Sequence, residues 1–131
     1  MPRPKSLSPT KIYTDGSHQE ICYVLGSQSP VRQPVKTNGC AVTGNEAEYR
    51  ACLVALQAAK NQGIRRVEIL SDSQVMIRQL NGEYAARSPR LNDLRILVLS
   101  LASEFDEVRF TWVRREQNPA GRELERKSKG G

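Results

Sequence analysis

Three acidic residues stand where their carboxylates could act together. Asp15 ends the predicted strand KIYTDG, Asp72 ends the predicted strand RRVEILSDS, and Glu48 comes in the first turn of a predicted helix. Open α/β sheets hold their ligands where strands finish. We therefore expect the three carboxylates to converge if the two strands are neighbours and the helix enters above them.

Converging carboxylates repel one another unless a cation neutralises them, and hard oxygen ligands suit Mg²⁺ or Mn²⁺. Two such ions about 4 Å apart can activate a water and stabilise the leaving oxygen in phosphodiester cleavage. Each acid also has an ordinary structural interpretation. Asp15 could be a turn residue before Gly16, Glu48 could complement a helix N-terminus, and Asp72 could be an N-cap. These three structural roles would have to occur together by coincidence, so the three acids as a set favour a metal site.

The segments before and around these acids predict the first half of an α/β fold. KIYTDG, ICYVLGS and VRQPVKT are short strands joined by short turns, which indicates an antiparallel meander with Pro34 on an edge strand. NEAEYRACLVALQAAKNQG predicts the longest helix, from a cap at Asn45 to Gly63.

The second half predicts alternating strands and helices. A strand ending at Asp72 is followed by a short helix closed by Gly82, a longer helix opened by Pro89, and the strand EVRFTWV. Asn118 caps a final helix with Pro119 at its first position. The order β-β-β-α-β-α-α-β-α predicts a mixed five-stranded sheet flanked by helices, three strands antiparallel and the later ones parallel.

One core domain is expected in 131 residues, with residues 1–10 as a flexible N-terminal arm, 11–126 as the domain and 127–131 as a flexible basic end.

The net charge of +6 favours a polyanionic partner. Cys22, Cys40 and Cys52 lack zinc-site spacing and indicate buried thiols in a reducing compartment. No apolar run is long enough to span a membrane, and we expect a cytoplasmic monomer.

Four segments resemble, in order and at suitable separations, the type 1 ribonuclease H family. They are IYTDGS, TGNEAEYRACLVAL, VEILSDSQVMIRQLNGEY with SPRL, and WVRREQN. The resemblance covers residues 11–126 and is to the compact form without a basic protrusion. It implies a ribonuclease H-like fold and metal-dependent hydrolysis of the RNA strand of RNA/DNA hybrids, which leaves 3′-hydroxyl and 5′-phosphate ends.

The resemblance also implies roles for particular residues. Asp15, Glu48 and Asp72 match the family's metal-binding acids, which hold two Mg²⁺ ions. Thr43 matches a residue that grips a phosphate of the DNA strand, and its alternative role is in a turn. Two further residues, Asn45 and Gln74, match minor-groove contacts, and Asn45 could equally be only a cap. Glu46 has no match and is expected to be solvated.

The chain departs from the family pattern at several places. The loop after Asp15 lacks a glycine-rich turn, and Gly44 stands where the family often has a second asparagine. No basic protrusion interrupts residues 82–90, so Arg87 and Arg90 are the candidates for contacts to the DNA strand. The loop before the last helix, RREQN, has no histidine where the family usually has one. The single histidine of the sequence, His18, follows the first strand and is expected to be exposed and to have no catalytic role.

The fourth acid of the family pattern is also missing. The position four residues after Asn118, where the family has an aspartate, is Arg122. Asn118 offers an amide oxygen at the helix entrance, and Glu125 lies one turn beyond Arg122. We favour Asn118 as the ligand of the ion that activates water, with an ordinary N-cap as its alternative role and Glu125 as the alternative ligand.

In this scheme Asp15 and Asp72 hold both ions and so set the geometry at the scissile phosphate, and Glu48 holds the ion near the leaving group. The sequence thus predicts a small ribonuclease H. Two alternatives remain open: a hybrid-binding module of the same fold that has lost catalysis, and another nuclease of the same superfamily acting on DNA junctions or ends.

Overall fold

The computed structural model describes residues 8–35 and 42–126. Five strands, four helices and one 3₁₀ turn follow the predicted order. The elements are β1 (Thr10–Gly16), β2 (Glu20–Leu25), β3 (Val31–Pro34), α1 (Gly44–Asn61), β4 (Arg66–Ser71), α2 (Gln74–Leu80), α3 (Pro89–Ala102), β5 (Glu107–Trp112), the 3₁₀ turn (Arg115–Gln117) and α4 (Pro119–Glu125).

The strands form one mixed sheet in the order β3-β2-β1-β4-β5. The first three strands pair antiparallel, while β4 pairs parallel with both β1 and β5. β3 is an edge strand, as Pro34 predicts, because proline has no N–H to donate to a ladder. The predicted architecture is confirmed.

Helices cover both faces of the sheet because side chains alternate between faces along each strand. Ile12, Leu25 and Ile69 face the larger core with α1, α2 and α3. On the opposite face Cys22 and Val24 pack against α4. The sheet is therefore fully covered near β1, the strand that carries Asp15.

Helix α1 begins earlier than the predicted cap. Thr43 is the N-cap, and its hydroxyl accepts a hydrogen bond from the Glu46 amide at 3.1 Å. Glu46 completes a capping box by accepting from the Thr43 amide. The prediction of an Asn45 cap is wrong, because Asn45 is already inside the first turn.

Glu46 is also not solvated as predicted. Its side chain is 3% exposed, and Arg90 Nε lies 3.2 Å from one of its oxygens. The capping box turns this carboxylate back toward the start of α1, where α3 supplies the arginine that compensates its charge.

Other boundaries agree closely with the predictions. Gly63 and Gly82 follow α1 and α2 with φ of 77° and 81°, a conformation that favours glycine. No inserted element separates α2 from α3, so the compact form is confirmed. The predicted arm overlaps the sheet by one residue, because Thr10 is the first residue of β1 and pairs with Val67 of β4.

Some predictions fall outside the described residues. These are the rest of the N-terminal arm before residue 8, the basic C-terminal end and the environment of Cys40. Cys22 and Cys52 are buried and free, as expected. Within the described residues, no helix has the length and apolar character needed to cross a bilayer.

Candidate active site

Two parallel strands bring Asp15 and Asp72 to the same edge of the sheet. Thr14 of β1 lies opposite Ser71 of β4, and each aspartate is the next residue along its chain. The carboxyl ends of the two strands therefore present their acids side by side, as predicted. Asp72 is not an N-cap, since Ser73 performs that function for α2 by accepting from the Met76 amide at 3.2 Å.

Glu48 reaches the pair because α1 approaches the end of β1 very closely. A Cβ added to Gly16 would lie 2.4 Å from the Ala47 carbonyl oxygen, so only glycine allows this packing. Glu48 is the next residue of α1 after Ala47, so the same close approach brings it to the strand end. The glycine of the DG motif thus positions an acid that lies 32 residues further along the chain.

The three acids form a compact cluster. One oxygen each from Asp15, Glu48 and Asp72 lies within 4.8 Å of the other two. Asp15 is 2% exposed. Its Oδ1 atom and Oε1 of Glu48 are buried and have no hydrogen-bond partner among the described residues. Buried acceptors without partners are costly, and a cation between them would remove that cost.

The electrostatics of the cluster reflect this crowding. Burial, followed by the nearby charge of Asp15, raises the pKa of Glu48 well above its ordinary value. Burial and the charge of Asp72 also raise the pKa of Asp15, while Arg115 opposes that shift. Without a metal ion, the Asp15–Glu48 pair therefore tends to hold a proton.

Arg115 lies inside the cluster, and the sequence analysis did not assign it a role. Its Nη1 atom is 3.2 Å from Asp15 Oδ2 and 3.2 Å from Asp72 Oδ1. Its Nε donates to Glu125 Oε2 at 3.1 Å. The absence of the fourth acid from the sequence was the available signal for a basic residue at the site, because a site that loses one anion can accommodate a neighbouring cation.

Asn118 contacts the cluster through its nitrogen. Its Nδ2 donates to Asp72 Oδ2 at 2.8 Å and to the Thr14 carbonyl at 2.9 Å. Its Oδ1 accepts from the Ala120 amide at 3.1 Å. The alternative role as an N-cap is confirmed, and in this structure the amide oxygen is not offered as a metal ligand.

Glu125 and Arg122 also lie apart from the three acids. Glu125 is more than half exposed and contacts the site only through Arg115. Arg122, which stands at the expected aspartate position, is exposed on α4. Among the described residues, the acids able to share an ion are therefore Asp15, Glu48 and Asp72.

The predicted substrate contacts are all exposed. Thr43 and Asn45 lie at the start of α1, before Glu48, and Gln74 begins α2 just after Asp72. Arg87 is exposed in the connection between α2 and α3. Arg90 is exposed but tethered to Glu46, so its position depends on the α1 cap.

Trp112 is a second residue that the sequence analysis did not assign. It ends β5 beside β4, its indole Nε1 donates to the Asp72 carbonyl at 3.3 Å, and 44% of the residue is exposed. An exposed aromatic ring next to a catalytic-type acid offers a stacking surface for a base or sugar. A tryptophan at the end of the last strand was the available signal.

The donor set fits hard divalent cations. Three carboxylates converge, and two of their oxygens are buried without hydrogen-bond partners among the described residues. The nearby nitrogen atoms, of Asn118 and Arg115, are hydrogen-bond donors and cannot act as metal ligands. Mg²⁺ and Mn²⁺ prefer such oxygen ligands. Asp15, Glu48 and Asp72 are the residues that would hold them.

Comparisons with known proteins agree with this geometry. The model of the reverse transcriptase-like family matches residues 32–126. Over 76 residues, or 58% of this chain, the sequence is 37% identical to ribonuclease HI of Halobacterium salinarum, covering 38% of that protein. It is 33% identical over 76 residues to the bifunctional protein Rv2228c of Mycobacterium tuberculosis, covering 21% of it. The chain thus matches less than half the length of these relatives.

Solved structures extend the similarity to nearly the whole chain. Ribonuclease H1 of Halobacterium salinarum superposes with a TM-score of 0.79 at 27% identity, covering 89% of this chain and 94% of that one. The N-terminal ribonuclease H domain of Rv2228c gives 0.76 at 26% identity, covering 89% and 95%. LC11-RNase H1, solved in complex with an RNA/DNA hybrid, gives 0.75 at 24% identity, covering 88% and 92%, and supports the fold alone. The chain therefore belongs to the reverse transcriptase-like family and has the fold of type 1 ribonuclease H.

Proposed function

We propose that this protein is a metal-dependent endoribonuclease that hydrolyses the RNA strand of RNA/DNA hybrids. The observation that carries the proposal is the convergence of Asp15, Glu48 and Asp72 at the carboxyl edge of β1 and β4. The fold and the identity to ribonuclease HI of Halobacterium salinarum support the same chemistry.

The acids and Asn118 have different proposed roles in the reaction. The three carboxylates would hold two Mg²⁺ or Mn²⁺ ions, which when bound activate a water and stabilise the leaving oxygen of the phosphodiester. Asp15 lies between the other two acids and contributes to both sides of the cluster. Asn118 holds Asp72 in place through a donated hydrogen bond. We propose this positioning role for Asn118 in place of the predicted ligand role.

The surface beside the cluster is proposed to bind the hybrid. Thr43 would contact a phosphate of the DNA strand, while Asn45 and Gln74 would reach into the minor groove. That groove is wide and shallow in RNA-containing duplexes and displays the 2′-hydroxyls. Arg87 and Arg90 would contact the backbone, which orients a duplex without reading its sequence.

A second function is favoured by a specific observation. Arg122 replaces the expected fourth acid, and Arg115 already neutralises part of the cluster. A hybrid-binding module with lost catalysis would have these features. The two functions share a binding surface and differ in whether metal-dependent cleavage occurs.

One experiment separates them. The protein is incubated with end-labelled RNA/DNA hybrid, duplex DNA and duplex RNA, each with Mg²⁺, with Mn²⁺ and with chelator. We expect cleavage of the RNA strand of the hybrid alone, only with metal, and products ending in 5′-phosphate. Hybrid binding without any metal-dependent cut would favour the binding module, and cleavage of duplex DNA would favour a different nuclease.

A matched pair of variants tests the site assignment. Asp72→Asn keeps the shape of the side chain but removes a metal-ligating charge, so cleavage should fall by a factor of about 10³ or more. Asp93→Asn makes the same charge change at an exposed position of α3 and should retain wild-type activity. Circular dichroism checks that both variants fold. An active Asp72→Asn enzyme would contradict the metal assignment.

The number of ions, the monomeric state and the cytoplasmic location are part of the same proposal. The number of ions rests on the chemistry of the three acids, and the other two are predictions made from the sequence. Titration calorimetry and sedimentation give the first two directly, and imaging of a tagged protein gives the third.

A further inference from the structure

The acidic cluster has two sides that differ in how their charge is compensated. On one side, Asp15 Oδ2 and Asp72 Oδ1 share the guanidinium of Arg115, with both distances at 3.2 Å. On the other side, Asp15 Oδ1 and Glu48 Oε1 are buried and have no hydrogen-bond partner among the described residues. The protein thus supplies its own cationic side chain to one side, and no such side chain contacts the two oxygens of the other side among the described residues.

Arg115 is held in this place by two further features. Glu125 accepts from its Nε at 3.1 Å, which fixes the orientation of the guanidinium plane. Gly121 lies directly behind it, and a Cβ there would be 3.2 Å from both Arg115 Nη1 and Asp72 Oδ2. The glycine at the start of α4 therefore leaves the room that the guanidinium and Asp72 share.

Arg115 and a divalent ion would compete for the same two carboxylates. Asp15 and Asp72 would hold such an ion close to the guanidinium, and the two positive charges would repel strongly at such a separation. No such conflict exists on the Glu48 side, where no arginine nitrogen contacts the orphan oxygens among the described residues.

We propose that Arg115 is a resident counterion that competes with divalent metal for the Asp15–Asp72 side of the cluster. Asp15 and Glu48 would hold an ion with Arg115 in place. Asp15 and Asp72 would hold one only after the guanidinium has moved away from them, while Glu125 retains it nearby. This inference rests on the metal site of the proposed function, and it makes metal loading depend on a side chain of the last loop.

The test compares Mn²⁺ binding to the full chain in three forms: wild type, Arg115→Gln and Arg114→Gln. Arg114 is the neighbouring exposed arginine, and its side chain makes no capping hydrogen bond. Its substitution changes the net charge equally and is the matched control. Bound and free Mn²⁺ are measured by electron paramagnetic resonance, which needs no substrate and no activity.

We expect the weaker Mn²⁺ site to tighten by about tenfold or more in Arg115→Gln, because a competing charge at contact distance is removed. Arg114→Gln should stay within about twofold of wild type, since an exposed charge without close contacts to the site is screened. Equal affinities in the two variants would overturn the competition. Absence of Mn²⁺ binding in all three proteins would instead overturn the metal site, and the inference with it.

Thermal unfolding provides a second readout if Arg115→Gln folds poorly. Without metal, Arg115→Gln should be less stable than Arg115→Lys, because only the latter keeps a positive charge near the aspartates. Saturating Mn²⁺ should raise the melting temperature of Arg115→Gln more than that of wild type or Arg115→Lys. Equal metal-induced shifts in the three proteins would contradict the proposal.

Glu125→Gln separates an anchor from a ligand. As the anchor of Arg115, Glu125 does not touch the ion, so its substitution should leave Mn²⁺ affinity unchanged or increase it. Weakened Mn²⁺ binding in Glu125→Gln would identify Glu125 as a metal ligand and would overturn its role in holding Arg115.

Discussion

At the scale of single residues, the site is organised around Asp72. Its carboxylate accepts from Asn118 on one side and from Arg115 on the other, and its carbonyl accepts from the Trp112 indole. The contacts from Asn118 and Trp112 orient the aspartate before any metal ion arrives, whether or not Arg115 is in place. A preorganised ligand loses little conformational entropy on binding, which favours a site of defined geometry.

The role of Asn118 leads to a prediction that uses two substitutions. Asn118→Ala removes the cap of α4 and one hydrogen-bond donor to the carbonyl of buried Thr14. We expect a loss of about 2–4 kcal/mol in the free energy of unfolding, measured by urea denaturation. Turnover should fall more than in Glu125→Ala, because Asp72 loses its orienting hydrogen bond.

Asn118→Asp shows whether the nitrogen or the oxygen matters. It retains an acceptor for the Ala120 amide but cannot donate to Thr14 or Asp72 when ionised. If Asn118 acts as a donor, the aspartate variant should lose activity much as the alanine variant does. Activity equal to or above wild type would instead show that an oxygen ligand is what this position supplies.

The proton held by the acidic pair predicts a dependence of stability on pH in the metal-free protein. The folded-state pKa of Glu48 is raised above its ordinary value of 4.5. Above that pH the unfolded chain releases a proton that the folded protein keeps, so the free energy of unfolding falls as pH rises. The slope approaches about 1.4 kcal/mol per pH unit for one full proton.

The measurement is urea denaturation in chelator between about pH 5 and about pH 8. Glu48→Gln cannot ionise and should show a much shallower decline than wild type, while Asp93→Asn should keep the wild-type slope. A Glu48→Gln variant with the full decline would assign the proton to another group.

At the scale of elements, the approach of α1 to β1 determines whether Glu48 joins the aspartates. Gly16 permits it, because any side chain there would meet the Ala47 carbonyl. The Thr43 capping box sets where the helix begins, and hence which residue of the first turns lies above the strand end. A shift of one residue in that start would turn Glu48 about 100° around the helix axis.

This packing yields a prediction with an internal control. Gly16→Ala should lower the free energy of unfolding by about 3 kcal/mol, the upper end for overpacked sites, and should also weaken Mn²⁺ binding. A Cβ on Gly44 meets nothing within 4 Å, so Gly44→Ala should be neutral or stabilising by up to about 1 kcal/mol. Comparable stabilities for the two variants would contradict the close approach of α1.

At the scale of the whole molecule, the net charge of +6 attracts a polyanion, and the described surface beside the cluster includes exposed arginines. Neutralised phosphates release counterions, so affinity for a hybrid should fall steeply as salt increases. The protein thus combines long-range attraction with a small acidic centre that requires cations.

Arg87 tests the contribution of the basic surface. Arg87→Gln should weaken hybrid binding and reduce the slope of log affinity against log salt by about 1, as expected for one lost phosphate contact. Arg65→Gln removes the same charge at the other end of β4 from Asp72. It should leave the slope of log affinity against log salt unchanged. Fluorescence anisotropy in chelator measures both without cleavage. Equal slopes in all proteins would place the hybrid elsewhere.

The order of elements and the three clustered acids could be predicted from sequence because both depend on local patterns. Short runs of β-branched, aromatic and other apolar residues mark β1 and β4, and an acid at the end of each strand is carried to the same edge whenever the strands pair in parallel. Gly63, Gly82 and Pro89 likewise mark boundaries through their own backbone preferences. Such signals lie within a few residues of the feature that they determine.

Only the tertiary structure decided which partners these residues have. Arg115 and Asp15 are separated by 100 residues, and nothing local to RREQN predicts their contact. The burial of Glu46 under Arg90 and the turn of the Asn118 amide toward Asp72 likewise depend on elements that pack from elsewhere in the chain. The sequence by itself determined which acids form the site, because backbone pairing carries them there. Their charge balance depended on side chains that meet only when the sheet and α4 are assembled.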